Sequence, residues 1–147
     1  MAIAALAACG DSSSDVADTY VGTWKTNCHA YVGTDGNTYY KTYVSTFTKA
    51  NSAELTLTHA NANAHSNSTC TNVLGPITAP VAWKLNIGSK TTFLGASVDS
   101  MVWTFPATGE ARPGFITADS SKLSLVVINT DGSIPTGWSG TSPYTKQ

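Results

Sequence analysis

The chain has 147 residues, with 8 basic and 9 acidic side chains and a net charge of -1. Charged residues make up only 12% of the sequence and hydrophobic residues 41%, which is too apolar for a disordered polymer. A near-neutral chain with a single arginine also lacks the basic surface that binds nucleic acid or anionic lipid. The length fits one folded domain with a real core.

The amino terminus is a short run of small apolar residues that ends at Cys9, and a polar segment follows it. The box Leu6-Ala7-Ala8-Cys9 resembles the signal of bacterial lipoproteins. The resemblance implies that residues 1–8 are a residual signal segment, that Cys9 is lipidated, and that residues 9–18 tether a single domain at 19–147. It also implies a lipid-anchored location in the cell envelope. The outer membrane is favoured over the inner one, because Gly10 stands where an aspartate marks inner-membrane retention. No later stretch of the sequence has enough consecutive apolar residues for a membrane-spanning helix. We therefore expect contact with the membrane only through the lipid.

Two cysteines remain, Cys28 and Cys70. An even number of leftover cysteines in a secreted chain predicts a disulfide between them. Two buried free thiols are the alternative. No Cys-x-x-Cys spacing occurs, and we therefore predict no metal site built on cysteine.

From Tyr20 onwards the apolar and polar residues alternate with the period of two that is typical of strands. Aromatic and β-branched residues are dense in these runs, and no window keeps a helical stripe. The fold class predicted is all-β: an antiparallel up-and-down barrel of about eight strands, with a sandwich as the alternative and an irregular tail from Asn129. The segment 59–70 could be an edge strand or a loop. The strand candidates are 20–28, 39–48, 54–59, 81–87, 91–94, 98–105, 115–118 and 123–128.

The first strand carries Gly22-x-Trp24, which resembles the opening strand of the calycin group, the lipocalins and their relatives. The resemblance implies a barrel whose closed floor is plugged by Trp24, with Gly22 allowing a sharp bend. It further implies that an arginine packs over the ring. Arg112, the only arginine, is the candidate for this cation–π contact.

Aromatic residues at matching parity could have either of two roles. They could fill the barrel core, or they could line an apolar pocket whose tyrosine hydroxyls orient a ligand. The candidate ligand-binding residues are Tyr39, Tyr43, Phe47, Trp83 and Trp103. Two further aromatic residues of the irregular tail, Trp138 and Tyr144, are the candidates for contact with a partner.

Residues able to carry catalysis are scattered. Ser139 lies in Thr-Gly-Trp-Ser-Gly-Thr, where Thr141 replaces the glycine that a nucleophile elbow requires. His29 and His65 could come together beside a Cys28–Cys70 bridge, as a weak metal or pH-sensitive site or as ordinary surface histidines. We predict no enzyme, no cofactor and no metal.

Two functions therefore stand as hypotheses. The first is a lipid-anchored envelope module that holds a small apolar or amphiphilic ligand in a calycin-like barrel. The second is an inhibitor or envelope interaction protein that acts through an exposed loop or tail. An open cavity would favour the first, and a filled barrel with an exposed Trp138 would favour the second.

Overall fold

The computed structural model describes residues 15–78, 81–139 and 143–147, apart from the side chains of 59–61 and 77–78. Within these ranges the chain forms a one-turn 3-10 helix, Val16–Thr19, and ten strands. The strands are β1 Gly22–Lys25, β2 His29–Val32, β3 Thr38–Lys49, β4 Glu54–His65, β5 Val73–Thr78, β6 Ala82–Phe93, β7 Ala96–Thr104, β8 Ala111–Ala118, β9 Lys122–Val127 and β10 Tyr144–Lys146.

Eight of these strands close into a barrel. Their order round the ring is β1-β3-β4-β6-β7-β8-β9-β10, which is also their order along the chain. The ring closes where β10 pairs with β1, with Trp24 opposite Lys146. All neighbouring strands are antiparallel, so the predicted up-and-down barrel of about eight strands is confirmed and the sandwich is excluded.

Two strands, β2 and β5, lie outside the ring on the far halves of the long strands β3 and β4. One edge of β3 pairs with β1 over 44–47 and with β2 over 38–41. One edge of β4 pairs likewise with β6 over 54–58 and with β5 over 62–65. The result is a four-stranded sheet, β2-β3-β4-β5, that we call the extension sheet. It leaves the barrel at what we call the extension end, opposite the hairpin end with its loops 50–53, 94–95 and 119–121.

The inward-facing side chains of the ring form one buried apolar cluster. Alternation places them there, as in β1, where Trp24 is buried and the neighbouring Lys25 is exposed. Full burial of each large side chain contributes roughly 1.5–3 kcal/mol, so this cluster dominates the stability of the domain. Its largest members are Tyr20, Trp24, Phe47, Leu55, Leu57, Leu85, Met101, Trp103, Ile116, Leu123 and Tyr144.

The 3-10 helix covers the hairpin end. Its Ala17 is fully buried and donates its backbone N–H to the Ser52 carbonyl at 3.2 Å. The hydroxyl of Tyr20, which follows the helix, donates to the buried carboxylate of Asp99 on β7, and the ammonium of Lys90 lies 2.9 Å from the same carboxylate. Burial and the Asp99 carboxylate raise the pKa of Tyr20 far above its usual value. This end of the barrel thus carries a polar network in which Tyr20 and Asp99 are buried and Lys90 is exposed.

Candidate ligand site at the extension end of the barrel

The Gly22-x-Trp24 motif lies in the barrel core. Gly22 has a φ of 139°, which side chains rarely adopt, and Trp24 is 0% exposed. The cation over the Trp24 ring is Lys146, at 5.2 Å from Nζ to the ring centroid. The prediction that Arg112 fills this position is wrong. Arg112 lies on β8, three strands away round the ring, and packs over Phe105.

The predicted row of Tyr39, Tyr43 and Phe47 follows the alternation of β3, but its members lie in two parts of the fold. The pairing of β3 with β4 shifts opposite Val44 and Ser45, and the extra residue of this bulge belongs to β4, so the alternation of β3 continues through it. Phe47 lies in the part of β3 that forms the ring and is fully buried in the core. Tyr39 and Tyr43 lie on the extension sheet, outside the barrel, so they do not line its interior.

The two predicted tryptophans meet at the extension end of the barrel. The rings of Trp83 and Trp103 are 4.9 Å apart, and Phe105 lies 6.3 Å from each of them. Trp103 is 5% exposed, whereas Trp83 and Phe105 are half-buried. We call these three residues the mouth cluster. The sequence carried a signal for Phe105, which shares the parity of Trp103 on the same predicted strand.

One polar atom in the mouth cluster lacks a partner. The indole Nε1 of Trp103 is buried and has no hydrogen-bond acceptor among the described residues. Nearly all buried polar groups in proteins are paired, and an unpaired donor costs roughly 1–3 kcal/mol. By contrast, the Trp24 Nε1 donates to the Tyr20 carbonyl at 3.0 Å. The mouth cluster therefore offers a hydrogen-bond donor that the described part of the protein does not use.

A groove of about 300 Å³ lies beside the mouth cluster at the rim of the barrel. Trp83 and Phe105, whose rings contact Trp103, are among its lining residues, whereas Trp103 lies behind them and does not line it. Apolar walls with a few polar groups are typical of small-molecule sites. The remaining lining residues are Thr56, Ala82, Lys84, Thr104, Pro106 and Gly109.

Arg112 holds one side of the mouth cluster in place. Its guanidinium carbon lies 4.8 Å from the Phe105 ring centroid, and its Nε and Nη2 donate to the Glu110 carboxylate at 2.7 and 3.0 Å. The Arg112 side chain holds the pKa of the Glu110 carboxyl below its usual range. The charges of Arg112 and Glu110 thus neutralise each other on this side of the mouth cluster.

The predicted disulfide between Cys28 and Cys70 is present, with the two Cα atoms 5.7 Å apart. It joins the β1–β2 connection to the β4–β5 loop, so it holds two segments of the extension sheet together. Cys9, the predicted lipidation site, lies outside the described residues.

The two residues predicted to contact a partner, Tyr144 and Trp138, differ in their exposure. Tyr144 begins β10 and is 4% exposed in the core, so the prediction that it contacts a partner is wrong. Trp138 is half-buried on the outer face of the barrel, where it meets Phe93 edge-on at 5.0 Å between ring centroids. Its contact with a partner stays a prediction.

The histidine pair predicted as an alternative metal site does not assemble. His29 pairs across the strands with Lys41, and His65 with Tyr40. Because Lys41 and Tyr40 are consecutive on β3, the two histidines face opposite sides of the extension sheet. No group of three or more potential metal-ligating side chains occurs in the described part of the chain.

Neither a protein-family model, nor a curated protein, nor a solved structure matches the chain. The resemblances to bacterial lipoproteins and to lipocalins therefore stay predictions, and the functional argument comes from the geometry alone. Among the described residues, no helix is long and apolar enough to cross a membrane.

Proposed function

We propose that this protein is a non-catalytic binding module of the bacterial cell envelope that holds a small, flat, amphiphilic molecule at the extension end of its barrel. The observation that carries the proposal is the buried Trp103 Nε1 without an acceptor, packed against the two rings that wall the rim groove. A ligand that inserts a hydrogen-bond acceptor between Trp83 and Phe105 would satisfy this donor and stack its apolar part against the two rings.

In this proposal the ligand binds at the rim of the barrel and not in its interior, where the sequence predicted it. Phe47 and its neighbours at the centre of the barrel are tightly buried, so the side chains of the described core fill the interior. The ligand therefore binds at the rim. The anchor on Cys9 and the envelope location rest on the Leu6-Ala7-Ala8-Cys9 box. The alternative, an interaction protein acting through its tail, retains only Trp138, since Tyr144 is buried.

The test uses the dye 6-propionyl-2-dimethylaminonaphthalene, which is flat, neutral and carries one carbonyl acceptor. We expect its emission to shift on saturable binding and the indole N–H resonance of Trp103 to move downfield. Trp103→Phe removes the donor and keeps the ring, and should weaken binding about five- to tenfold, as expected for one hydrogen bond.

Two controls make the test specific. Trp138→Phe removes an indole N–H far from the rim and should leave the affinity unchanged. 2-Dimethylaminonaphthalene, which lacks the carbonyl, should bind the wild type and Trp103→Phe equally weakly. Equal binding of the carbonyl dye to the wild type and Trp103→Phe, or no saturable binding at all, would overturn the proposal.

A further inference from the structure

The tip of the β2–β3 hairpin, at the far end of the extension sheet, carries an open cleft. This cleft has a volume of about 500 Å³ and is lined by Tyr31, Gly33, Thr34, Asp35 and Tyr39. It shares no lining residue with the rim groove. The cleft is therefore a separate site from the rim groove.

Two tyrosine rings form the aromatic side of the cleft. Tyr31 and Tyr39 are directly opposite each other on β2 and β3, and their centroids are 5.9 Å apart. Both are half-buried. The ammonium of Lys41 lies 4.9 Å from the Tyr31 centroid, a distance at which the ring attracts a cation. The structure thus shows one ring of the cleft already holding a positive charge.

Asp35 forms the charged side of the cleft. Its Oδ2 accepts the hydroxyl of Tyr39 at 2.7 Å and the side-chain amide of Asn37 at 2.8 Å, and its Oδ1 accepts the Asn37 backbone N–H at 3.0 Å. These hydrogen bonds, that of Tyr39 foremost, lower the pKa of the Asp35 carboxyl. No basic side chain of the described residues forms an ion pair with it. The cleft therefore keeps an anion that the described residues do not neutralise by an ion pair.

Gly33 allows the ring and the carboxylate to converge. A Cβ on Gly33 would lie 2.7 Å from the Asp35 Oδ1 and 2.8 Å from the Tyr39 Cε2, which is closer than real Cβ contacts allow. Any other residue would push the carboxylate or the ring aside.

We propose that this cleft binds a small organic cation of the trimethylammonium class. Tyrosine rings and a carboxylate are the groups that attract such a cation. Most of the hydrogen-bonding capacity of Asp35 is used inside the loop. A quaternary ammonium donates no hydrogen bond and needs only the charge and the ring faces, so it fits better than a primary amine.

The test compares choline with its neutral isostere, 3,3-dimethylbutan-1-ol, by titration of the whole protein followed by NMR. We expect choline to bind at least about tenfold more tightly, because the two molecules differ in charge and hardly in shape. Equal affinity for the two, or no shift of the Tyr31 and Tyr39 resonances with choline, would overturn the proposal.

Variants assign the binding to the cleft. Asp35→Asn and Tyr31→Leu should each weaken choline binding about fivefold. Lys41→Met should strengthen it, because the competing cation over Tyr31 is removed. Tyr40→Leu changes a ring on the opposite face of β3, one that does not line the cleft, and should have no effect. If Asp35→Asn binds choline like the wild type, the proposal fails.

Vesicle binding distinguishes a cation that is part of a lipid headgroup from a cation that is free in solution. Co-sedimentation with phosphatidylcholine vesicles, absent with phosphatidylglycerol vesicles and displaced by choline, would support a lipid headgroup as the ligand. Choline binding without vesicle binding would support a free cation. Trp103→Phe should leave all these results unchanged, so failure here and failure of the rim site are distinguishable.

Discussion

The barrel and the extension sheet share the strands β3 and β4, yet they differ in how their strand edges are paired and how far their side chains are buried. In the ring every strand is paired on both edges, and the inward side chains are buried on all sides. The extension sheet has two edge strands, and its tyrosines are half-exposed. A covalent link, Cys28–Cys70, ties it together. The core of the ring thus supplies most of the stability, whereas the extension sheet and the rim beside it carry the groups that we propose bind ligands.

The largest effect is expected in the ring. Trp24→Ala should lower the free energy of unfolding by about 3–5 kcal/mol, because it empties a fully buried position and leaves the Tyr20 carbonyl unpaired. Tyr43→Ala, its counterpart in the extension sheet, should cost about 1 kcal/mol, since the side chain is half-exposed. Urea unfolding followed by circular dichroism measures both. Similar losses in the two variants would contradict the comparison.

The disulfide tests whether the two regions unfold separately. Cys28→Ser combined with Cys70→Ser removes a link across 42 residues and should cost about 2–4 kcal/mol, felt first in the extension sheet. In hydrogen exchange, amides of β2 and β5 should lose protection while those of β7 and β8 keep theirs. A uniform loss across both regions would mean that they form one cooperative unit.

The polar network at the hairpin end should make the ring sensitive to alkali. The folded state raises the pKa of Tyr20 above the usual value near 10, so its contribution is complete below pH 10 and is lost as the pH rises further. The free energy of unfolding should then fall by about 1.4 kcal/mol per pH unit from this group. Tyr20→Phe should cost roughly 1–3 kcal/mol at neutral pH, because Asp99 loses a donor, and should flatten the alkaline slope. An unchanged slope would show that Tyr20 is not the group responsible.

The smallest effect concerns the outer face of the ring. Trp138→Ala removes a half-buried ring from the small cluster with Phe93 and Phe115, and should cost about 1 kcal/mol. Thermal unfolding is a sufficient measure. A loss as large as that of Trp24→Ala would mean that the ring core is not the main source of stability.

Several local assignments made from the sequence are wrong for one shared reason. The candidates 81–87 and 91–94 are parts of one strand, β6, which runs through an irregularity at Gly88-Ser89. The candidate 115–118 begins too late, since β8 also includes Pro113 and Gly114. Gly75-Pro76, which lies in no candidate, belongs to β5, an edge strand, where proline is tolerated. Neighbouring strands override the local breakers in each case.

The candidate sites were predictable only in part. Trp83 and Trp103 were selected by parity, but their meeting with Phe105 depends on β6 pairing with β7. The unpaired Nε1 of Trp103 has no sequence signal, because it depends on the absence of a hydrogen-bond acceptor among all of its described neighbours in the fold. The cleft residues Gly33, Thr34 and Asp35 lie between the candidates 20–28 and 39–48, and no predicted strand includes them.

The sequence alone determined the all-β class, the approximate strand number and, with Cys9 set aside, the pairing of Cys28 with Cys70, since alternation, β-branched content and cysteine count are local or compositional properties. Only the tertiary structure decided the faces of the long strands. A single bulge in β4, opposite Val44 and Ser45, puts Ala62 and Ala64 on the same face as Leu55 and Leu57, although the two pairs differ in parity. The physical reason is the period of two along a strand: one extra residue, invisible without the partner strand, exchanges one face for the other.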